Sequence, residues 1–254
     1  MSPARLVGVS LKAYFGQTET LSWSSQVARL AERSSPIQEG SVELVVFPSV
    51  PFLPTVVEIF SETPVSVGAQ DVSVFPAGAY TGETPAAQLR EIGVSYVEVG
   101  HAERRRYFGE DDSVVAQKLS IAFENELRPL LCVGENQPLG PEHAARVCME
   151  QIMKALDCVS TGPGHLDAVI AYEPVWAIGQ SEPASPQHIR QSYQLMSDFI
   201  DSSFPGHSMR IVYGGSAGPG LYAELGGGLS GLFLGRFAHD VNRLASIVDE
   251  VAGH

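Results

Sequence analysis

The sequence has 254 residues, 44% hydrophobic and 18% charged: enough apolar side chain for a full core, and no segment biased enough to be disordered. Lys and Arg number 16 against 29 Asp and Glu, a formal net charge of −13 that argues against nucleic acid or an anionic membrane as partner. Any anionic ligand must therefore be held by a locally positive site, against the field of the whole chain.

The first ten residues, MSPARLVGVS, lack the long apolar region of a secretory signal, and no apolar run reaches membrane-spanning length. Cys132, Cys148 and Cys158 show no metal-ligand spacing and read as reduced thiols, so a cytoplasmic protein is expected. Apolar runs of strand length recur at Leu6–Val9, Leu44–Phe47, Val65–Ala69, Tyr96–Val99, Pro129–Val133, Ala168–Tyr172, Ile211–Tyr213 and Gly231–Leu234. Helical patterns lie between and after them at Leu21–Arg33, Thr55–Phe60, Ala86–Ile92, Val114–Glu126, Ala144–Leu156, His188–Phe204, Pro219–Leu225 and Val241–Val251. Short apolar strands alternating with amphipathic helices call for a parallel sheet covered on its outside. Eight such units over residues 1–254 predict one (β/α)8 barrel domain. The competing open sheet with a nucleotide loop lacks a G-x-G-x-x-G after the first strand, which runs on as Ser10-Leu11-Lys12. No cofactor and no metal are expected.

In such a barrel the chemistry belongs to the loops that follow the strands. Those positions hold Ser10 and Lys12, Gln70 and Asp71, His101 and Glu103, Glu135, Glu173, Gly214-Gly215-Ser216, and Gly235-Arg236. Singly each has a plain explanation: a solvated cation, a satisfied histidine, a turn. Together they bring a base, an imidazole, a lysine and two glycine-rich turns to one rim. Glu173 follows a buried strand, and a carboxylate there is costly unless it is paired or faces a cavity. After Pro174 comes an apolar, glycine-broken loop, Val175 to Gly179, and then Ser185-Pro186 as the cap and first turn of the next helix. That loop reads as a lid excluding water from Glu173, the alternative being plain core packing. Backbone N–H groups at Gly215, Ser216, Gly235 and lid Gly179 would hold a phosphate without net charge. Glu173, its pKa raised in a dry pocket, could take a proton from carbon beside a carbonyl, with His101 and Lys12 facing the developing enediolate. The implied chemistry is isomerisation of a small sugar phosphate.

The segments GAQDV (68–72), GAYTGE (78–83), VGHAERRRYFGE (99–110), LLCVGE (130–135), AYEPVWAIG (171–179) and YGGSA (213–217) together resemble the triosephosphate isomerase family over nearly the whole chain. The resemblance implies Glu173 as base, His101 as electrophile, Lys12 as electrostatic partner and Glu103 in support. A neutral histidine and a water-excluding loop are established features of that family, not readings of this sequence. It further implies a homodimer, in which the loop holding Tyr80, Thr81, Gly82 and Glu83 enters a second subunit. The chain departs from the family pattern at Ser10 and Leu11 (for Asn-Trp), at Ala102 (for Ser), at Arg236 (for Gly), and in the lid hinge Gln180-Ser181-Glu182-Pro183-Ala184. The expected reaction is interconversion of glyceraldehyde 3-phosphate and dihydroxyacetone phosphate. The alternative is a four-carbon ketose phosphate from polyol breakdown, with Ser10 and Leu11 opening room and Arg236 meeting a displaced phosphate. An alternative of another class is a non-catalytic sugar-phosphate sensor.

Overall fold

The computed structural model describes residues 4–157, 159, 165–179 and 184–253. Cys158 and the hinge residues Gln180, Ser181, Glu182 and Pro183 lie outside them. Eight strands, β1 (Arg5–Ser10), β2 (Val42–Phe47), β3 (Ser66–Ala69), β4 (Tyr96–Val99), β5 (Arg128–Val133), β6 (Asp167–Tyr172), β7 (Ser208–Tyr213) and β8 (Gly231–Leu234), pair in parallel and in chain order. β8 returns to β1, with Leu6 opposite Gly231 and Val9 opposite Leu234, so the expected (β/α)8 barrel closes.

The helices among the described residues are α1 (Gln17–Arg33), α2 (Ser35–Gln38), α3 (Leu53–Phe60), α4 (Ala86–Glu91), α5 (Ala102–Phe108), α6 (Asp112–Glu124), α7 (Pro141–Leu156), α8 (Pro186–Ser203), α9 (Leu221–Glu224) and α10 (Val241–Ala252). All eight helical patterns read from the sequence form. α2 and the full length of α5 go unpredicted, for a physical reason: α2 is a single turn, and no α5 side chain is buried, so neither carries an apolar period. α8 starts as expected, with Ser185 Oγ accepting the His188 N–H and Pro186 in the first turn. No helix among the described residues is long and apolar enough to cross a membrane.

Two apolar layers follow from the strand period of two. Val7, Val9, Val97, Val99 and Leu131 point outward and pack against the helices. Leu6, Phe47, Tyr96, Leu130, Val212 and Phe233 point inward and fill the barrel. Each fully buried Val, Leu or Phe contributes about 1.5–3 kcal/mol through lost contact with water. The inner layer fits because Phe47 overlies Gly68, where an added Cβ would stand 2.3 Å from the ring. Below it, Tyr96 donates to Glu43, which also accepts from Arg128 and from Arg210 at 2.8 Å, so the amino-terminal mouth ends in a paired polar network. Tyr96 and Glu98 share the inward face of β4. The first caps that mouth; the second faces the opposite end.

Candidate active site

The carboxyl ends of the strands surround a cavity of about 790 Å³ whose wall includes Lys12, Glu103, Glu173, Gly179 and Arg236. His101 lies just beneath its floor, with Nε2 3.7 Å from Glu173 Oε2. The three residues expected to act together therefore meet at one place.

Glu173 follows β6 directly and is held by backbone. Its N–H donates to Val133 O at 2.8 Å, and the neighbouring loops approach through Gly134 and Gly214. A Cβ on Gly134 would come within 1.8 Å of the Glu173 carbonyl, and one on Gly214 within 2.7 Å of its Cγ. The side chain is 2% exposed, and its Oε2 has no hydrogen-bond partner among the described residues. Burial, and then the nearby Glu98, push its pKa from 4.5 up to about 8, against the pull of Lys12. A desolvated carboxyl at a cavity wall is suited to exchanging a proton at neutral pH.

His101 caps α5, and its Nδ1 accepts the N–H of Glu103 at 3.1 Å. Nδ1 is thus the acceptor and Nε2 carries the proton, aimed toward Glu173. Burial, then Lys12 and Arg104, bring its pKa from 6.5 down to about 4, so the ring is neutral near pH 7. α5 is pinned from behind: Arg104 reaches Asp71 at 2.9 Å, and buried Lys118 binds both Asp71 and Glu110.

Lys12 has φ 47°, the left-handed region that a non-glycine residue enters only when its surroundings hold it there. Ser49 Oγ and Gln70 Nε2 do so, each donating to its carbonyl at 2.9 Å. The ammonium donates to Glu103 Oε1 at 2.8 Å. Burial lowers the Lys12 pKa, but Glu103, Glu173 and Glu98 outweigh it, so the net shift is upward and the charge stays.

The other expected residues divide. Gly179 (φ 75°) and Ile178 bring the loop over the cavity, and Arg236 stands on its wall with its guanidinium 6.0 Å from the Tyr14 ring centroid. Ser216 Oγ donates to Ala177 O at 3.0 Å, tying the loop to the turn after β7. Gly215 underlies Tyr213, where a Cβ would meet the hydroxyl at 2.2 Å. Gly215, Ser216 and Gly235 are not on the cavity wall, and the N–H of Gly214 is taken by Tyr172 O at 2.8 Å. Two expectations need correction. Ser10 does not face the ligand space, because its hydroxyl points inward to Glu98 Oε2 at 3.2 Å. Leu11 opens no room there, since it is buried in the outer apolar layer. Glu135, another rim residue, turns to the base of the loop and accepts from Trp176 Nε1 at 2.7 Å.

The residue missed from sequence is Glu98. It is 3% exposed, its Oε1 lies 3.9 Å from His101 Nε2, and burial above all raises its pKa from 4.5 to about 8. The signal was a lone carboxylate in the apolar strand YVEV, two residues from inward-facing Tyr96.

Comparison with known proteins gives the family. The profile of the triosephosphate isomerase family matches residues 5–251. The L-erythrulose-1-phosphate isomerase of Pectobacterium atrosepticum is 45% identical over 251 residues, 98% of this chain and 97% of that protein. The triosephosphate isomerase of Thermus thermophilus is 38% identical over 87% of each chain. That of Shewanella denitrificans is 37% identical over 76% of this chain and 77% of its own.

The raised carboxyls make stability depend on pH. Between 4.5 and about 8 the buried Glu98–Glu173 pair of the folded chain keeps a proton that the unfolded chain has released. Their contribution is complete below 4.5 and is lost as pH rises through about 8. His101, lowered to about 4, works in the opposite sense, but only below 6.5. Melting temperatures of Glu173→Gln are therefore expected to fall less than wild type between 6.5 and about 8. Parallel curves would contradict a raised Glu173.

Proposed function

We infer the working of this chain from one premise: it belongs to the triosephosphate isomerase family and is an aldose–ketose isomerase. Glu173 removes a proton from the carbon next to the substrate carbonyl and returns it to the neighbouring carbon. The enediolate between these steps is held by the Nε2–H of His101 and the ammonium of Lys12, donors already oriented before the substrate arrives. The loop Val175–Gly179 keeps water from the exchange, and the backbone of Gly179 together with Arg236 receives the phosphate.

The preferred substrate is a four-carbon ketose phosphate. The observation that carries this reading is the 45% likeness to an L-erythrulose-1-phosphate isomerase over nearly the whole of both chains. Arg236, a cation without a carboxylate partner among the described residues, stands on the wall of the cavity shared by Lys12 and Glu173 and is available to the phosphate. In a 1-phosphorylated four-carbon 2-ketose, only C3 carries both a proton and a hydroxyl beside the carbonyl. The same shuttle then moves the carbonyl from C2 to C3, a ketose-to-ketose form of the family's exchange; the phosphate on C1 keeps its distance from the reacting carbons, where the guanidinium of Arg236 binds it, and the added C4 lies on the far side. The second reading, a three-carbon substrate, has the likeness to triosephosphate isomerases in its favour.

The working unit is a homodimer. Residues 75–83, with Phe75 stacked on Tyr80 at 4.3 Å, form an exposed loop closed at its neck by Ser73 N–H to Thr84 O. Exposed aromatic rings on a closed projection suit insertion into a second copy, with Thr81 toward the other pocket and Gly82 and Glu83 turning the tip. A cytoplasmic location agrees with the unpaired buried thiols of Cys132 and Cys148.

Two measurements test this. Wild type is expected to turn over L-erythrulose 1-phosphate with kcat/KM about tenfold or more above dihydroxyacetone phosphate, the size of effect one added group can have, and Arg236→Gly to raise KM for both. A triose preference would favour the second reading. In sedimentation, wild type is expected at twice the chain mass and Tyr80→Asp at a lower one. A wild-type monomer would remove the dimer.

A further inference from the structure

Two carboxyl groups flank one imidazole nitrogen. Glu173 Oε2 and Glu98 Oε1 lie 3.7 and 3.9 Å from His101 Nε2, both too far to accept its proton directly. Among the described residues the groups facing Glu98 can be named. Ser10 comes from β1 and Lys12 from the loop after it; Asp71 follows β3; His101 and Glu103 open α5; Cys132 comes from β5, and Glu173 follows β6. The one cation among them, Lys12, is already bonded to Glu103, and Asp71 is bonded to Lys118 and Arg104. Ionising Glu98 and Glu173 together would therefore leave two buried negative charges without a cation of their own, which so buried a site does not support. One of the pair holds a proton, as in other close carboxyl pairs.

The surroundings say which. Glu173 lines the cavity, where a substrate proton can reach it. Glu98 is off the wall, sealed under Ser10 and His101, and Oε2 accepts from a neutral hydroxyl.

We propose that Glu98 is a positioning residue for proton transfer: while it carries a proton, the single negative charge of the pocket floor belongs to Glu173, and its ionisation turns the site off. A second charge beside Nε2 repels the enediolate and makes Glu173 harder to ionise. Its upward-shifted pKa, to about 8, puts this loss just above neutral pH. The proposal rests on Glu173 being the base, and its test separates the two ideas.

The test is the pH profile of kcat/KM on a ketose phosphate for wild type, Glu98→Gln and Glu98→Leu, with melting temperatures to show that the variants fold. Wild type should decline above about 8. Glu98→Gln, which cannot ionise, should lose that decline. Glu98→Leu should lose it too and, having removed the acceptor for Ser10, show kcat about tenfold lower with little change in KM, of the order a small misplacement produces. Variants that keep the wild-type decline, or that lose activity equally at every pH, make Glu98 a structural acid and overturn the proposal. Infrared spectroscopy decides it without turnover: a protonated-carboxyl band near neutral pH should disappear in Glu98→Gln. In wild type alone its loss should track the alkaline decline. A band that persists in the variant, or that titrates apart from activity, also overturns it. The expected band behaviour in a protein inactive on both ketose phosphates would instead overturn the substrate assignment and leave the protonation of Glu98 standing.

Discussion

The site is governed by the scarcity of positive charge in a dry place. Glu98, Glu103 and Glu173 crowd one imidazole, and the ammonium that answers them is that of Lys12, already joined to Glu103. Bulk water would screen all of these groups; burial does not, so their protons are redistributed. His101 gives up its charge, the Glu98–Glu173 pair keeps a proton toward neutrality, and Lys12 stays charged despite burial. An acid poised near 8 and a neutral N–H donor facing the same space are what proton transfer between adjacent carbons requires. In a chain of net charge −13, an anionic substrate must rely on backbone donors and on Arg236.

The barrel makes this crowding tolerable by building it from short, rigid strand ends. Glu173 is fixed by a ladder bond to Val133 and by two glycines that let the flanking loops press against it. The His101 tautomer is set by the backbone of α5, and α5 is anchored by the Asp71, Arg104, Glu110 and Lys118 cluster. The strained backbone of Lys12 is held by Ser49 and Gln70. Each acting group is thus placed by neighbours that touch no substrate, which is how a site keeps its geometry within a fraction of an ångström.

Much of this was legible in the sequence. Strand and helix periods disclosed the barrel, because burial on one face leaves a repeating trace, and the rule that chemistry follows the strands brought out Lys12, His101, Glu173 and Arg236. What stayed hidden depends on register. Glu98 in YVEV could face either side of the sheet until pairing put it with Tyr96 inside the barrel. Ser10 looked like a ligand donor because its partner lies 88 residues away in the chain. Leu11 looked like a way to widen the pocket, and only packing shows that it points to the helices. Glu135 sits at a strand end as the rule demands, yet serves Trp176 at the foot of the loop. Position along a strand can be read locally; direction across the barrel cannot.

The account depends on His101 remaining an uncharged donor between those carboxyls, and nitrogen-15 NMR of its imidazole during a pH titration tests that most directly. The prediction is a neutral ring with the proton on Nε2, persisting as pH falls through 6.5 and charging only near 4. A ring that charges at 6.5, or that carries its neutral proton on Nδ1, would contradict it.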